Sequence, residues 1–164
     1  MIKEKNHSIN LLKLIGVSSL IIYHSNFFIS GRQLVSGGFF GIDLIFVISG
    51  YLSYVFFKQS SFSLKDTFIL FFKQKFRKIF PSLLSLITIC FILSWFTLNP
   101  DDFVNFAKSV ISNLSFNSNF YYHFSGNTLG EYNSLLKPLF HLWSVSVLFQ
   151  LWIIFTIFLV FIDR

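Results

Sequence analysis

Four stretches of the chain, about residues 9–29, 38–57, 79–98 and 139–162, are each apolar over close to the roughly 20 residues a helix needs to cross a hydrocarbon core. Nothing else in the sequence restricts the fold as severely. A soluble domain has no way to bury four such runs. Of the 164 residues, 54% are hydrophobic, 25 are Phe, and only 12% are charged. The excess apolar surface has to face lipid. The expected fold is an all-α integral membrane protein with about four transmembrane helices.

A net charge of +6 would suit a nucleic-acid binder if it were spread over a surface. Instead, six of the thirteen basic residues lie between Lys58 and Lys78. The enrichment of Lys and Arg on the cytoplasmic side of membrane proteins accounts for such a cluster, and no nucleic acid is expected as a partner. Lys3, Lys5 and Lys13 flank the first run. The long segment 99–138 carries Asp101, Asp102 and Glu131 against Lys108 and Lys137. Both termini and the 58–78 connection are therefore expected in the cytoplasm, with 99–138 outside. The first run continues past the length of a signal-peptide core, and His24 and Asn26 stand where a small-residue cleavage site would fall. It reads as a signal anchor. Cys90, the single cysteine, has no intrachain disulfide partner and reads as a small buried hydrophobe.

The connections are patterned too. Ser63-Leu64-Lys65-Asp66 has the form of a capping box, with Ser63 as N-cap. It should open an amphipathic helix on the inner membrane surface, ended by a kink or restart at Pro81. On the other side, Phe103, Phe106, Ala107, Val110, Ile111 and Leu114 recur at helical spacing, which predicts an external amphipathic helix with one apolar face. Residues 117–133, rich in aromatics, Gly and Asn, read as a loop without periodicity.

Ionisable groups inside a bilayer are costly, so each one marks a place where chemistry can occur. In the first run this residue is His24, roughly 16 Å of helix beyond Lys13; in the second it is Asp43. Two antiparallel helices joined by a short loop should bring them to similar depth. A carboxylate can fix the tautomer of an imidazole and raise its basicity, as suits a general base acting on a hydroxyl. A purely structural hydrogen bond is the other reading. Gly37, Gly38, Gly41 and Gly50 would let helices approach closely. Lys75 and Lys78 share a helical face, with Lys73 and Arg77 near, and suit either the phosphates of a nucleotide-like donor or anionic lipid. In the last run His141, Ser144 and Leu148 share one face. Ser146 and Gln150 lie on adjoining faces, where they can support a site or simply bond a backbone carbonyl or another helix. No nucleotide-binding glycine motif, zinc-ligand spacing or nucleophile elbow is present.

Four segments together resemble the acyltransferase family 3 membrane proteins, which O-acetylate bacterial surface polysaccharides. They are "NLLKLIGVSSLIIYH" (10–24), "GGFFGIDLIFVISGYL" (37–52), "FKQKFRKIFP" (72–81) and "LKPLFHLWSVSVLFQLW" (136–152). "SNLSFNSNFYYHFSG" (112–126) adds a likeness to members that modify O-antigen or peptidoglycan. The resemblance implies an enzyme of the bacterial inner membrane that takes an acyl group, in the first place acetyl, from acyl-CoA. It passes that group across the membrane to a hydroxyl of a cell-envelope glycan. His24 and Asp43 would be catalytic, Lys75, Lys78 and Lys13 would contact the donor, and His141, Ser144, Ser146 and Gln150 would support the site. No tightly bound cofactor or metal is implied.

The departures are specific. Asn10 and Lys13 replace the acid and the Arg of the family's first motif, and lysines replace its Arg-x-x-Arg pair. Leu148 stands where the family carries a glutamate. The four spans correspond to the N-terminal part of a family domain that has around ten. A truncated non-catalytic remnant or partner subunit is thus the alternative reading, and a second polypeptide or self-association would complete the site.

Overall fold

The computed structural model describes residues 2–25, 27–29, 32–125 and 137–162, and they form two compact units, Met1–Ser60 and Ser61–Arg164. In the first unit, α1 (Ile2–His24) leads into a two-stranded antiparallel ribbon, β1 (Phe28–Ile29) and β2 (Arg32–Gln33). A 3-10 turn (Gly38–Phe40) then opens α2 (Gly41–Gln59). The expected first run thus overshoots its helix. The chain is extended by Phe28, and Gln33 Nε2 donates to the Tyr23 carbonyl at 2.8 Å, satisfying one of the last acceptors of α1.

α1 and α2 meet along Gly16, Ser19, Leu20 and Tyr23 on one side and Gly38, Gly41, Leu44 and Ile45 on the other. A Cβ on Gly41 would collide with the Gly16 carbonyl and come within 2.7 Å of Ser19 Oγ; one on Gly38 would collide with the Ser19 carbonyl. The nearest atoms are backbone carbonyls, which cannot swing aside as the end of a flexible side chain can. Gly50 has nothing within 4 Å. Gly41→Ala should therefore cost about 1–3 kcal/mol by overpacking, whereas Gly50→Ala should be neutral or stabilise by up to about 1 kcal/mol. Thermal melting in detergent reads the contrast, and equal effects at the two positions would refute it.

In the second unit α3 (Leu64–Thr97) is a single helix of 34 residues. Ser63 caps it as expected, accepting from the Asp66 amide at 3.2 Å and donating to Asp66 Oδ2 at 2.7 Å. The helix runs on through Pro81, so the expected inner-surface helix and third span are one element. After Asn99 the chain reverses into α4 (Pro100–Leu114), which retraces α3. Phe103 meets Trp95 and Phe91 at 5.5 Å, Phe106 meets Phe91 at 6.2 Å, and at the far end Phe116 meets Phe76 at 6.4 Å. A tight turn with Phe116 at φ 54° then reverses the chain again into α5 (Ser118–Phe124). A 3-10 turn (Phe140–Leu142) begins α6 (Trp143–Ile162). The core is Leu83, Ile87, Phe106, Phe116 and Leu139, with Cys90 and Phe149 packed against it.

Segments 58–78 and 99–138, expected on opposite sides of the membrane by charge, come together at Phe76 and Phe116 because α4 folds back about 22 Å along α3. One expectation is corrected: the buried face of α4 differs from the apolar stripe, with Ile111 69% exposed while Ser109, Ser112 and Asn113 are buried. The polar side chains there bond to their own helix: Ser109 Oγ donates to the Phe106 carbonyl at 2.7 Å, and Ser112 Oγ and Asn113 Nδ2 donate to the Ser109 carbonyl at 2.8 Å. Part of the expected loop is the helix Ser118–Phe124, and the remainder, 126–136, lies outside the described residues.

Among the described residues, three helical stretches are long and apolar enough to cross a membrane: Gly38–Gln59, Leu64–Thr97 and Phe140–Leu159. Only 17% of the apolar window in each is buried, so the rest has lipid as its natural surroundings. α1 is not among the three, because Asn10, Lys13 and His24 interrupt its apolar run. The protein is an all-α membrane protein apart from the small ribbon.

Candidate functional site

His24 is the last residue of α1 and is exposed, with its ring edge-on to Tyr23 at 5.2 Å. Phe39 closes on the other side of Tyr23 at 5.9 Å. The imidazole thus stands at the end of a helix, beside an aromatic group and the polar ribbon. Asp43 lies in the first turn of α2, where a carboxylate favours the helix N-terminus. The glycine contacts fix the register between the two. Gly41 faces Gly16 and Leu20, whereas Gly38 faces Ser19 and Tyr23. His24 is eight residues beyond Gly16, ~12 Å of helix, while Asp43 is two residues past Gly41 in the opposite direction. The seam uses positions 41, 44 and 45, so Asp43 projects from another face and is exposed. By this register the pair expected at equal depth is offset by ~15 Å, nearly three turns. Lys13, three residues before Gly16, shares the seam face and is partly buried.

In the second unit the two lysines expected to act together diverge. The Lys75 ammonium lies 4.6 Å from the Trp152 ring centre and 5.1 Å from that of Phe71, a cation–π arrangement directed toward α6. Lys78 instead lines an open groove of about 480 Å³ with Leu70, Lys73, Gln74 and Arg77. Residues 70, 73, 74, 77 and 78 recur at helical spacing, and position 75 points to the other side. Three cations on one groove can hold several phosphate oxygens. Arg77 supplies the planar fork that the lysines lack. Lys73, Gln74 and Arg77 are the members that the three-residue spacing of Lys75 and Lys78 does not single out.

The serines and glutamine of α6 have definite partners. Ser144 Oγ donates to the His141 carbonyl at 3.0 Å, a local bond that closes the first turn of the helix. Ser146 is 1% exposed, lies 2.7 Å from Ser118 Oγ, and accepts from the Ser118 amide at 3.3 Å. Gln150 Nε2 donates at 2.9 Å both to the Phe116 carbonyl and to Asn119 Oδ1, and Asn119 Nδ2 returns a bond to Gln150 Oε1 at 2.9 Å. Phe149 stacks on Phe116 at 4.1 Å. These contacts form a latch at the tip of the α4–α5 hairpin, beside two of the apolar helices. Broken backbone at such a place needs internal partners, because lipid offers none. Ser146 and Gln150 provide them. Leu148 takes no part in the latch's hydrogen bonds.

A family model described as an acyltransferase domain matches residues 6–164. The chain is similar to the O-acetyltransferase OatA of Staphylococcus aureus, with 32% identity over 155 residues, 92% of this chain and 24% of the relative. It is similar as well to the peptidoglycan O-acetyltransferase OatA of Listeria monocytogenes, 31% identical over 157 residues, 93% of this chain and 24% of the relative. The chain therefore spans about a quarter of the length of these curated relatives. No solved structure matches it at a significant level.

Proposed function

This chain belongs to the acyltransferase 3 family, and on that premise we propose that it serves the O-acetylation of a cell-envelope glycan. The observation that carries the reading is the similarity across more than nine-tenths of the chain to O-acetyltransferases. In this reading acyl-CoA is the donor, engaged through its phosphates by Lys73, Arg77 and Lys78. His24 removes the proton from the acceptor hydroxyl as that oxygen attacks the acyl carbonyl, and the donor sulfur leaves with the electron pair of the broken bond. Asp43 and Lys13 are polar groups of the same unit that tune or orient, with Asp43 outside direct reach of His24 in this register. His141 and Ser144 mark the start of α6, where an acceptor can approach.

The site of action is the bacterial cytoplasmic membrane, with α1 as a fourth span and both termini inside, as the lysine distribution favours. The open end of the α4–α5 hairpin then faces outward and its tip reaches back along α3. A non-catalytic partner of a larger acetyltransferase is the second reading, favoured by Leu148 where the family motif carries a glutamate.

Two measurements test the proposal. Ester-linked acetate on envelope polysaccharide should fall in a strain lacking the gene and return when the chain is supplied. Absence of any change in acetate would sink the acetylation reading. Acyl-CoA binding to the protein in nanodiscs should weaken by about tenfold or more, the loss of roughly 1.4 kcal/mol, in a Lys73→Ala/Arg77→Ala/Lys78→Ala variant. The effect should shrink as salt rises. Wild-type affinity in that variant would remove the groove from donor binding.

A further inference from the structure

The charge on α3 stops abruptly. Residues 64–78 carry Lys65, Asp66, Lys73, Lys75, Arg77 and Lys78, whereas residues 79–97 carry no charged side chain. That uncharged stretch is ~28 Å of helix, close to the thickness of a hydrocarbon core. Exposed Trp95 lies at its far end, as suits a membrane interface. A span so placed sets the groove of Leu70, Lys73, Gln74, Arg77 and Lys78 at the depth of lipid headgroups. The same helix face continues into the span through Pro81, Leu84, Ser85 and Thr88, all exposed. Ser85 and Thr88 donate their hydroxyls to the Ser82 and Leu84 carbonyls at 2.9 Å, so neither brings an unsatisfied donor to lipid.

Three cations on one short stretch of helix repel one another, and among the described residues no carboxylate lines the groove to offset them. A bound anion does so. Arg77 offers a planar fork to a phosphate, the two lysines add charge, and the Gln74 amide can donate to a neutral oxygen. A soluble phosphate would use only this polar end. A phospholipid uses the whole face: its acyl chain spans half of the hydrocarbon core, roughly 15 Å, which is the rise of the helix from Lys78 to Thr88. A zwitterionic headgroup brings its own ammonium to the cations and gains less than an anionic one. We propose that the groove binds an anionic phospholipid, its phosphate held by Lys73, Arg77 and Lys78 and one acyl chain laid along Leu84 and Thr88. The inference goes beyond the donor reading of the same cations and does not depend on it. Where both hold, lipid and donor exclude each other, and membrane composition sets how much donor the chain engages.

The test is native mass spectrometry of the full chain released from phosphatidylcholine nanodiscs, each holding a few molecules of phosphatidylglycerol, too few to charge the disc surface. The wild type should retain phosphatidylglycerol over phosphatidylcholine by about tenfold or more once their abundance is allowed for. Lys73→Ala/Arg77→Ala/Lys78→Ala should retain the two lipids equally. Lys73→Arg/Lys78→Arg should keep the preference, which separates loss of charge from loss of fold. Lys75→Ala should keep it too, because that cation faces the Trp152 ring instead. Glycerol phosphate, the headgroup without its chains, should not displace the lipid at equal concentration. Equal retention of both lipids by the wild type, an unchanged preference in the triple alanine variant, as large a loss in Lys75→Ala, or displacement by glycerol phosphate would each overturn the inference. Acyl-CoA affinity, read in the same discs, should fall as phosphatidylglycerol is added. Lipid selectivity at the groove with acyl-CoA binding indifferent to it would leave the inference standing and take the donor out of the groove. Acyl-CoA binding that needs the three cations, without any lipid preference, would do the reverse.

Discussion

A chain with His24→Ala should reach the membrane at the wild-type level and restore about 10²–10⁴-fold less ester-linked acetate than the unaltered chain. That range is what a positioned general base contributes to the removal of a proton from a hydroxyl. His24 is exposed at the end of its helix, so its truncation should leave the seam of Gly16, Gly38 and Gly41 intact and the melting temperature unchanged. Asp43→Asn should cost less, because the register holds the carboxylate nearly three turns away. Acetate rates are read by release with mild alkali from purified polysaccharide. Wild-type acetate from the His24→Ala chain would take the imidazole out of the chemistry. A deficit as large for Asp43→Asn would mean that the two helices slide to bring the groups together during the reaction.

Gln150→Leu should be the most destabilising single change in the second unit. It removes the bonds to the Phe116 carbonyl and to both atoms of the Asn119 amide, while a leucine of similar bulk keeps the space filled. Each buried group left without a partner costs about 1–3 kcal/mol, so the sum should approach ~3 kcal/mol or more. Ser146→Ala should cost less, since among the described residues its side-chain hydrogen bonds go to Ser118 alone. Hydrogen exchange should quicken at the amides of residues 116–121 in Gln150→Leu and stay slow across Leu83–Ile87. The Asn119→Leu/Gln150→Leu double variant should recover part of the loss, because neither amide is then stranded. Additive losses, or uniform exchange across the unit, would show that the latch is incidental.

Much of this was legible in the residues. Runs of apolar side chains announce helices in lipid by length alone, and the capping box at Ser63 named the start of α3 to the residue. Of the four glycines expected to let helices approach closely, Gly38 and Gly41 do so, whereas Gly50 has nothing within 4 Å and Gly37 only a side-chain atom at 3.9 Å. Other features depend on what lies across a gap, and periodicity along one helix is blind to that. Lys75 and Lys78 obey the three-residue rule, but Trp152, distant in sequence, draws one of them away. Ile111 belongs to the apolar stripe of α4, yet it is exposed while Ser109 and Ser112, satisfied by carbonyls of their own helix, are inside. The ribbon after His24 is signalled only by Ser30-Gly31 between the apolar Phe28-Ile29 and the polar Arg32-Gln33, a weak cue beside a long hydrophobic run. Ser146 and Gln150 could be read as parts of a motif, but their partners lie about thirty residues upstream, where no spacing rule reaches.

Pro81 interrupts the hydrogen-bond ladder of α3. It has no amide hydrogen for the Arg77 carbonyl, so the long rod has its softest joint there. α6 grips the arm before that joint, at Phe71, Phe72 and Lys75, and α4 grips the arm after it, at Leu83, Ile87 and Phe91. The Gln150 latch ties the two grips together and acts as a strut across the elbow. Any flexing of α3 must stretch or release that strut, and it would at the same time open or narrow the cationic groove formed by Lys73, Arg77 and Lys78 immediately before the proline.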